Sequence, residues 1–337
     1  MLLLAAGVAG GLAGCGGIDR AGGSIAAAEA AERAAEMNLG GRNHVAAAEA
    51  ALRAGDKERA LAEFARAIQV NPRLTTAHMG IGDIYRMDGD YVKAEQAYGQ
   101  AAAIEPANFD AQYYHGLMLH LLDRITEAIQ AYLRALAVKP NDFMANLSLS
   151  TAYYQLDENN QALTYGLKAV ELDPKDGPAR FNLGAIYSAM GRHAEAVKEY
   201  QQAAELMELN TPLLMNLAES LGRLQRYDEM RNTLEQLVRT EPSAAAYERL
   251  GYAQFKLGAY DDSQYDAALA SFQKALEIDP EYYPALNGVG VCYLCEWVWS
   301  DQRNAEARTR GLAALRRSLQ LNRNQPQILE LLTRYGG

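Results

Sequence analysis

Four prolines, Pro72, Pro106, Pro140 and Pro174, recur every 34 residues; Pro242 lies two further periods on, and Pro280 follows 38 residues later. The same interval links Ala60, Ala94, Ala128, Ala162 and Ala196, and a second series, Ala67, Ala101, Ala135, Ala169 and Ala203. A small residue also returns at this spacing: Ala48, Gly82, Gly116, Ser150, Gly184 and Ala218. A chain built this way makes one small unit many times, each unit covering the apolar face of its neighbour. That also accounts for its length, since 337 residues exceed what one hydrophobic core usually organises. Within each unit the apolar residues fall three and four apart, the spacing of amphipathic helices. The recurring proline stops the second helix of a unit, and the next unit starts beyond it.

The stretch Thr75 to Asn108 carries Ile81-Gly82, Tyr85, Tyr91, Ala94, Tyr98, Ala101 and Pro106. In this arrangement it resembles the tetratricopeptide repeat, two antiparallel helices per 34 residues. Gly82 and Ala94 mark where the two helices approach, while Tyr85 and Tyr98 fill the space between repeats with rigid aromatic area. The resemblance implies an all-α fold, a right-handed superhelical solenoid of about eight helix-turn-helix repeats with a C-terminal capping helix. The units start near Gly41, Thr75, Phe109, Phe143, Gly177, Thr211, Ala244 and Glu281, the first six in strict phase. Extra residues enter around 261–265 and 297–309. The expected division is a signal peptide (1–14), a tether and N-terminal helix (15–40), the array (41–325) and the cap (326–337). Gly16 to Gly23 reads as tether and Ser24 to Met37 as an alanine-rich helix that caps the array. Gly166, Met230 and Glu208 depart from the repeat pattern, so the middle units are expected to pack less tightly.

Leu2 to Leu12 are apolar or glycine, and Leu12-Ala13-Gly14-Cys15 follows. This resembles the bacterial lipoprotein signal, in which the cysteine is acylated and becomes the new N-terminus. The other reading is a short secretory segment that happens to end in cysteine. A positively charged start is missing, so the true start codon is expected upstream. Gly16 is not the aspartate that retains such proteins on the inner membrane. The expected address is the outer membrane, facing the periplasm.

In the tetratricopeptide family the first helix of each repeat lines the concave groove with its second, fifth, ninth and twelfth residues. Carried onto this sequence, the resemblance implies a partner-binding groove of Met79, Asp83, Tyr113, Leu117, His120, Leu147, Thr151, Tyr154, Phe181, Met215 and Tyr252. Asn182 and Asn216 are added as possible donors and acceptors to a peptide backbone. Arg86, Met144, Glu219 and Phe255 fall at related positions. Such a surface suits a helix or extended segment with large side chains, although any of these residues could instead be inter-repeat core. The lysine, arginine and asparagine clamp of chaperone-binding relatives is absent, with Val45, Met79 and Tyr113 at its positions.

Chemistry is scarce. Cys292 and Cys295, three apart on one helical face, could bind a metal, cycle as a redox pair, or pack. Haem attachment is excluded because Glu296 follows where histidine is required, and no further ligands complete a zinc site. Packing is the favoured reading. His44, His78, His115, His120 and His193 are spread over several units, and His44 and His78 are expected in the core. No nucleophile triad, phosphate loop or acid pair is present, so no enzyme activity, cofactor, metal or small-molecule substrate is expected. A net charge of −10 speaks against nucleic acid, and no run of twenty apolar residues spans a bilayer.

The expected function is a non-catalytic scaffold for protein or peptide clients, resembling pilotin and pilus-assembly repeat lipoproteins that serve secretins. Alternatives are a scaffold for periplasmic cell-wall or polysaccharide enzymes, and a thiol protein using Cys292 and Cys295.

Overall fold

The structure, a computed structural model, describes residues 18–258 and 263–336. Cys15 and its signal lie outside these residues. Every regular element described is an α-helix, and consecutive helices pair. The chain divides into two compact units, residues 1–140 and 141–337.

The first unit holds three pairs: α1 (Ile18–Arg53) with α2 (Lys57–Val70), α3 (Thr75–Met87) with α4 (Tyr91–Ile104), and α5 (Phe109–Leu121) with α6 (Ile125–Val138). The expected separate helix at Ser24–Met37 is not found. It is the exposed front of α1, which runs on without a break into the first repeat. Residues 27–39 are exposed, and Asn38 Oδ1 accepts Asn71 Nδ2 at 2.6 Å, so the segment meets the end of α2 without burying an apolar face. Alanine-rich sequence carries no helix-stopping signal there, and Gly40 and Gly41 come close to Val70 and Leu74 where α1 meets its partner.

The second unit holds α7 (Phe143–Gln155) with α8 (Asn159–Leu172), α9 (Gly177–Ala189) with α10 (His193–Leu206), α11 (Thr211–Arg223) with α12 (Tyr227–Thr240), α13 (Ala244–Leu257) with α14 (Ser263–Ile278), and α15 (Tyr283–Trp299) with α16 (Ala305–Leu321). A last helix, α17 (Pro326–Tyr335), packs on α16 and buries Ile328. The added residues near 297–309 become extra helical turns: α15 and α16 each run for 17 residues, against 13 and 14 in α9 and α10. The last repeat begins at Tyr283, two residues after the Glu281 expected from sequence.

Repeat spacing reappears as hydrogen-bonding and backbone signals. Asn108, Asp142, Asp176, Asn210 and Ser243 each precede a first helix and accept the backbone N–H three residues on, at 2.7–3.2 Å. The turn inside each strict repeat places one residue in the left-handed region: Gly55, Gly89, Asp123, Asp157, Gly191 and Gln225, with φ between 57° and 78°.

The core is a wedge of large against small. Tyr98, Tyr132 and Tyr200 are fully buried. A Cβ on Gly82 would lie 2.7 Å from the Tyr98 ring, and one on Gly184 2.7 Å from Tyr200. In α7–α8 the wedge is lost. Ser150 stands at the small position, Gly166 replaces the tyrosine, and a Cβ on Gly166 would meet Ser150 Oγ at 2.9 Å. Ser150 Oγ donates to Ala162 O at 2.8 Å, and Ile186 and Leu183 of the following repeat fill the space left.

Candidate partner-binding face

The candidate residues lie on the first helices of the pairs, and their surroundings decide what each can offer a partner. In the first unit most are already engaged. Tyr113 is only 8% exposed, packed against Phe109, Tyr114 and Tyr132 with ring centroids within 5.9 Å, so it is core of its own helix pair rather than open groove. Aromatic neighbours at positions 109, 114 and 132 close over it. Met79 and Leu117 pack half-buried on the Tyr98–Met118 core. Asp83 accepts the Tyr98 hydroxyl at 2.7 Å, and Arg86 donates to the same oxygen at 3.1 Å. Burial pushes that hydroxyl's pKa up, so it remains a donor. His120 Nδ1 lies 3.5 Å from Tyr132 Oη.

The second unit is more open. Leu147, Thr151 and Tyr154 are half-buried along α7, and Met144 is exposed. Phe181 and Met215 back onto the core with part of each side chain accessible, and Tyr252 is 41% exposed. Asn182 Nδ2 donates to Thr151 Oγ1 at 3.2 Å, tying α9 to α7. Asn216 makes no hydrogen bond among the described residues and retains its amide for a ligand. Glu219 is held by Arg249 at 2.7 Å and Arg223 at 3.2 Å.

Two groups escaped the sequence reading. Glu248 holds the fifth position of α13, where other repeats carry Phe181 and Met215, and nothing in the sequence around it marks a carboxylate without a partner. Asn287 holds the same position of α15, hidden by the two-residue misplacement of that repeat. Gly290, the eighth residue of α15 as Gly82 is of α3, is the signal that fixes the register.

The remaining candidates for chemistry are inert. Cys292 and Cys295 are free thiols that line two different cavities, one beside Tyr265 and Trp299, the other beside Leu331 and Tyr335. The three-residue step keeps both on one side of α15, close enough that Cys295 adds to the upward push on Cys292, while each borders its own cavity. Burial pushes the Cys292 thiol up to about 12 and the Cys295 thiol in the same direction, which suppresses the nucleophilic thiolate. His44 and His78 are not core: His44 Nδ1 lies 2.7 Å from Glu63 Oε2 with its side chain 36% exposed, and His78 Nε2 lies 3.1 Å from Pro72 O. Their polar ring atoms seek partners at the edge of the helix pair. The hydrogen bond from His44 is the largest influence holding the Glu63 carboxyl below its usual range.

No curated protein matches the chain. Among solved structures, a tetratricopeptide repeat protein from Parabacteroides merdae aligns over 78% of this chain and 99% of its own, at 18% identity and a TM-score of 0.51. YrrB, a TPR protein with an unusual peptide-binding site, covers 61% of this chain and 99% of its own, at 20% identity and a TM-score of 0.50. Pseudomonas aeruginosa pilF covers 61% and 94%, at 19% identity and a TM-score of 0.50. These likenesses concern the fold. The sequence profile of the tetratricopeptide repeat matches residues 45–111, 94–143, 122–177 and 215–263, and a second profile of the same repeat matches 165–198. With more than half its length matched, the chain belongs to the tetratricopeptide repeat family, whose fold supports a protein–protein interaction scaffold.

Proposed function

We propose that this protein is a lipid-anchored scaffold of the bacterial envelope that holds a segment of a client protein against the first helices of its repeats and so supports assembly of an envelope complex. The observation that carries this reading is the succession of Phe181, Met215 and Tyr252 on consecutive first helices, half-buried or exposed, with the uncommitted amide of Asn216 among them. Large side chains fixed by their own core, with one face left to solvent, make low-entropy anchors for a partner. YrrB, of the same repeat fold, has a peptide-binding site, which agrees with this use of the architecture. The lipobox-like Leu12-Ala13-Gly14-Cys15 supports an outer-membrane anchor facing the periplasm, and its combination with repeats points to pilus or secretin assembly among envelope complexes.

A photoreactive residue at Phe181 or Tyr252, introduced in cells, should crosslink one client reproducibly, whereas the same residue at exposed Lys198 on α10 should not. Equal crosslinking from all three positions would refute the face. Cys15→Ser should move the protein from the membrane to the soluble fraction, because the acyl chains are the attachment; an unchanged distribution would refute the anchor.

A further inference from the structure

At the C-terminal end of the same face, α13, α15 and α17 enclose an open cavity of about 520 Å³. Its walls are Glu248, Tyr252 and Phe255 from α13, Asn287 and Val291 from α15, and Leu331 from α17. The Phe272 ring forms part of the lining because residue 288 is glycine, where a Cβ would lie 2.4 Å from that ring.

The polar groups in this cavity share one deficiency. Glu248 makes no ion pair or hydrogen bond among the described residues. The neighbouring cation, Arg249, is committed to Glu219 at 2.7 Å and is not among the residues lining the cavity. Burial raises the Glu248 carboxyl above its usual range despite Arg249, as expected of a carboxylate awaiting a partner. Asn287 Nδ2 donates to Gln325 Oε1 at 2.7 Å, which orients the amide and leaves Oδ1 buried with no donor. Glu248 thus lines the cavity without a partner, and Asn287 Oδ1 is buried beside it without one, a costly arrangement in the free protein. Lys256 also lines the cavity but makes no ion pair with Glu248. It is two turns along α13 from Glu248, about 12 Å of helical rise, and its ammonium lies over the Tyr252 ring, 5.4 Å from the centroid.

We infer that this cavity is a subsite for a basic side chain of a bound protein segment, an arginine or lysine whose cationic end is received by Glu248, beside Asn287, while its alkyl stem and an adjoining apolar residue lie on Tyr252, Phe255 and Val291. A guanidinium or ammonium supplies the donors that Glu248 lacks, and its charge matches the unpaired carboxylate. The inference rests on the proposed use of this face for a client and adds the chemistry of one anchor. It gives the scaffold a positional preference that the apolar row from Phe181 to Tyr252 does not provide.

The test uses the full-length protein in detergent micelles and blocked tetrapeptides acetyl-Leu-Xaa-Leu-Phe-amide, where Xaa is arginine or its uncharged isostere citrulline. Calorimetric titration should show the arginine peptide binding about tenfold tighter than the citrulline peptide, the factor that a charge-assisted hydrogen bond carries. Glu248→Gln should remove that preference while leaving the citrulline peptide's affinity unchanged, and Asn287→Asp should enlarge it. Circular dichroism melts of both variants establish that they are folded. Equal binding of the two peptides to wild type, no binding of either, or a preference that survives Glu248→Gln would overturn the subsite. Crosslinking from Phe181 reports on the face independently, so a lost subsite and a lost face give different results.

Discussion

Gln225 lies in the turn between α11 and α12 with φ at 59°, a left-handed conformation, and the corresponding residues of three other repeats are Gly55, Gly89 and Gly191. The turn itself is well bonded. Gln225 N donates to Gly222 O at 3.0 Å and Arg226 N to Leu221 O at 2.9 Å, so the conformation is imposed by the helix pair around it. The glutamine side chain is exposed and makes no hydrogen bond, and its removal loses nothing in the folded state. Holding an L-residue in this region costs about 1–2 kcal/mol, while glycine loses roughly 0.5–1 kcal/mol more backbone entropy on folding. Gln225→Gly should therefore stabilise the α11–α12 pair by about 0.5–1 kcal/mol. Asp123 and Asp157 occupy the same turn position, but aspartate tolerates it better, so Asp157→Gly should gain less. Gly89→Gln, the reverse change, should lose a comparable amount in α3–α4. A repeat array need not unfold in one step, so the assay is native-state amide exchange of Leu221 and Met230, read beside urea unfolding. If Gln225→Gly left those amides unchanged or less protected while Gly89→Gln was harmless, the reading of these turns as strained would be wrong.

The wedge of Gly82 and Tyr98 should show coupling. Gly82→Ala pushes a methyl into the buried ring and should cost about 1–3 kcal/mol, but much less when combined with Tyr98→Leu, because α11–α12 buries Ala218 and Leu234 at the same positions in one core cluster. Additivity within about 0.5 kcal/mol in a double-mutant cycle would exclude the steric account. Glu248→Gln should stabilise the fold at pH 7. The carboxyl pKa is raised in the folded state, so the wild type loses stability as pH rises above the unfolded value of 4.5, and the difference between the two proteins should vanish in melts at lower pH. A gap as wide in acid as at neutrality would show that charge burial is not its origin. The thiols should resist alkylation: iodoacetamide at pH 8 should modify Cys292 and Cys295 far more slowly in the native protein than in urea, since burial disfavours both thiolates. Native labelling as fast as in urea, read by mass spectrometry, would reopen a chemical role for the pair.

Much of the architecture was legible because each repeat states the same rules again. The helix starts Thr75, Phe109, Phe143, Gly177, Thr211 and Ala244 fall where the period of prolines and small residues places them. Period fails where insertions interrupt it, which is why the last repeat was misplaced by two residues and Asn287 with it. The site was less legible than the fold. Position along a helix tells which way Tyr113 leaves the backbone, but not that Phe109, Tyr114 and Tyr132 close over it. Gly166 looked like a local weakness. Its compensation by Ser150 and by Ile186 and Leu183 of the next repeat is a contact between units that no single repeat displays. Glu248 and Asn287 carry their meaning in what they lack, and an unmet hydrogen bond has no sequence signature.

The exposed front of α1 bears on how the molecule would be presented to its surroundings. Residues 27–39 are exposed yet continue the helix that the first repeat nucleates, and alanine keeps such an extension inexpensive. Those thirteen residues amount to a rod of about 20 Å. For a chain fixed at Cys15, a rod transmits angle as well as distance, since each residue turns it by about 100°. Height above the lipid and the compass bearing of the first repeats would then be set by the same short stretch. Removing seven residues from it would lower those repeats with their heading nearly preserved, whereas removing two would turn them to nearly the opposite bearing.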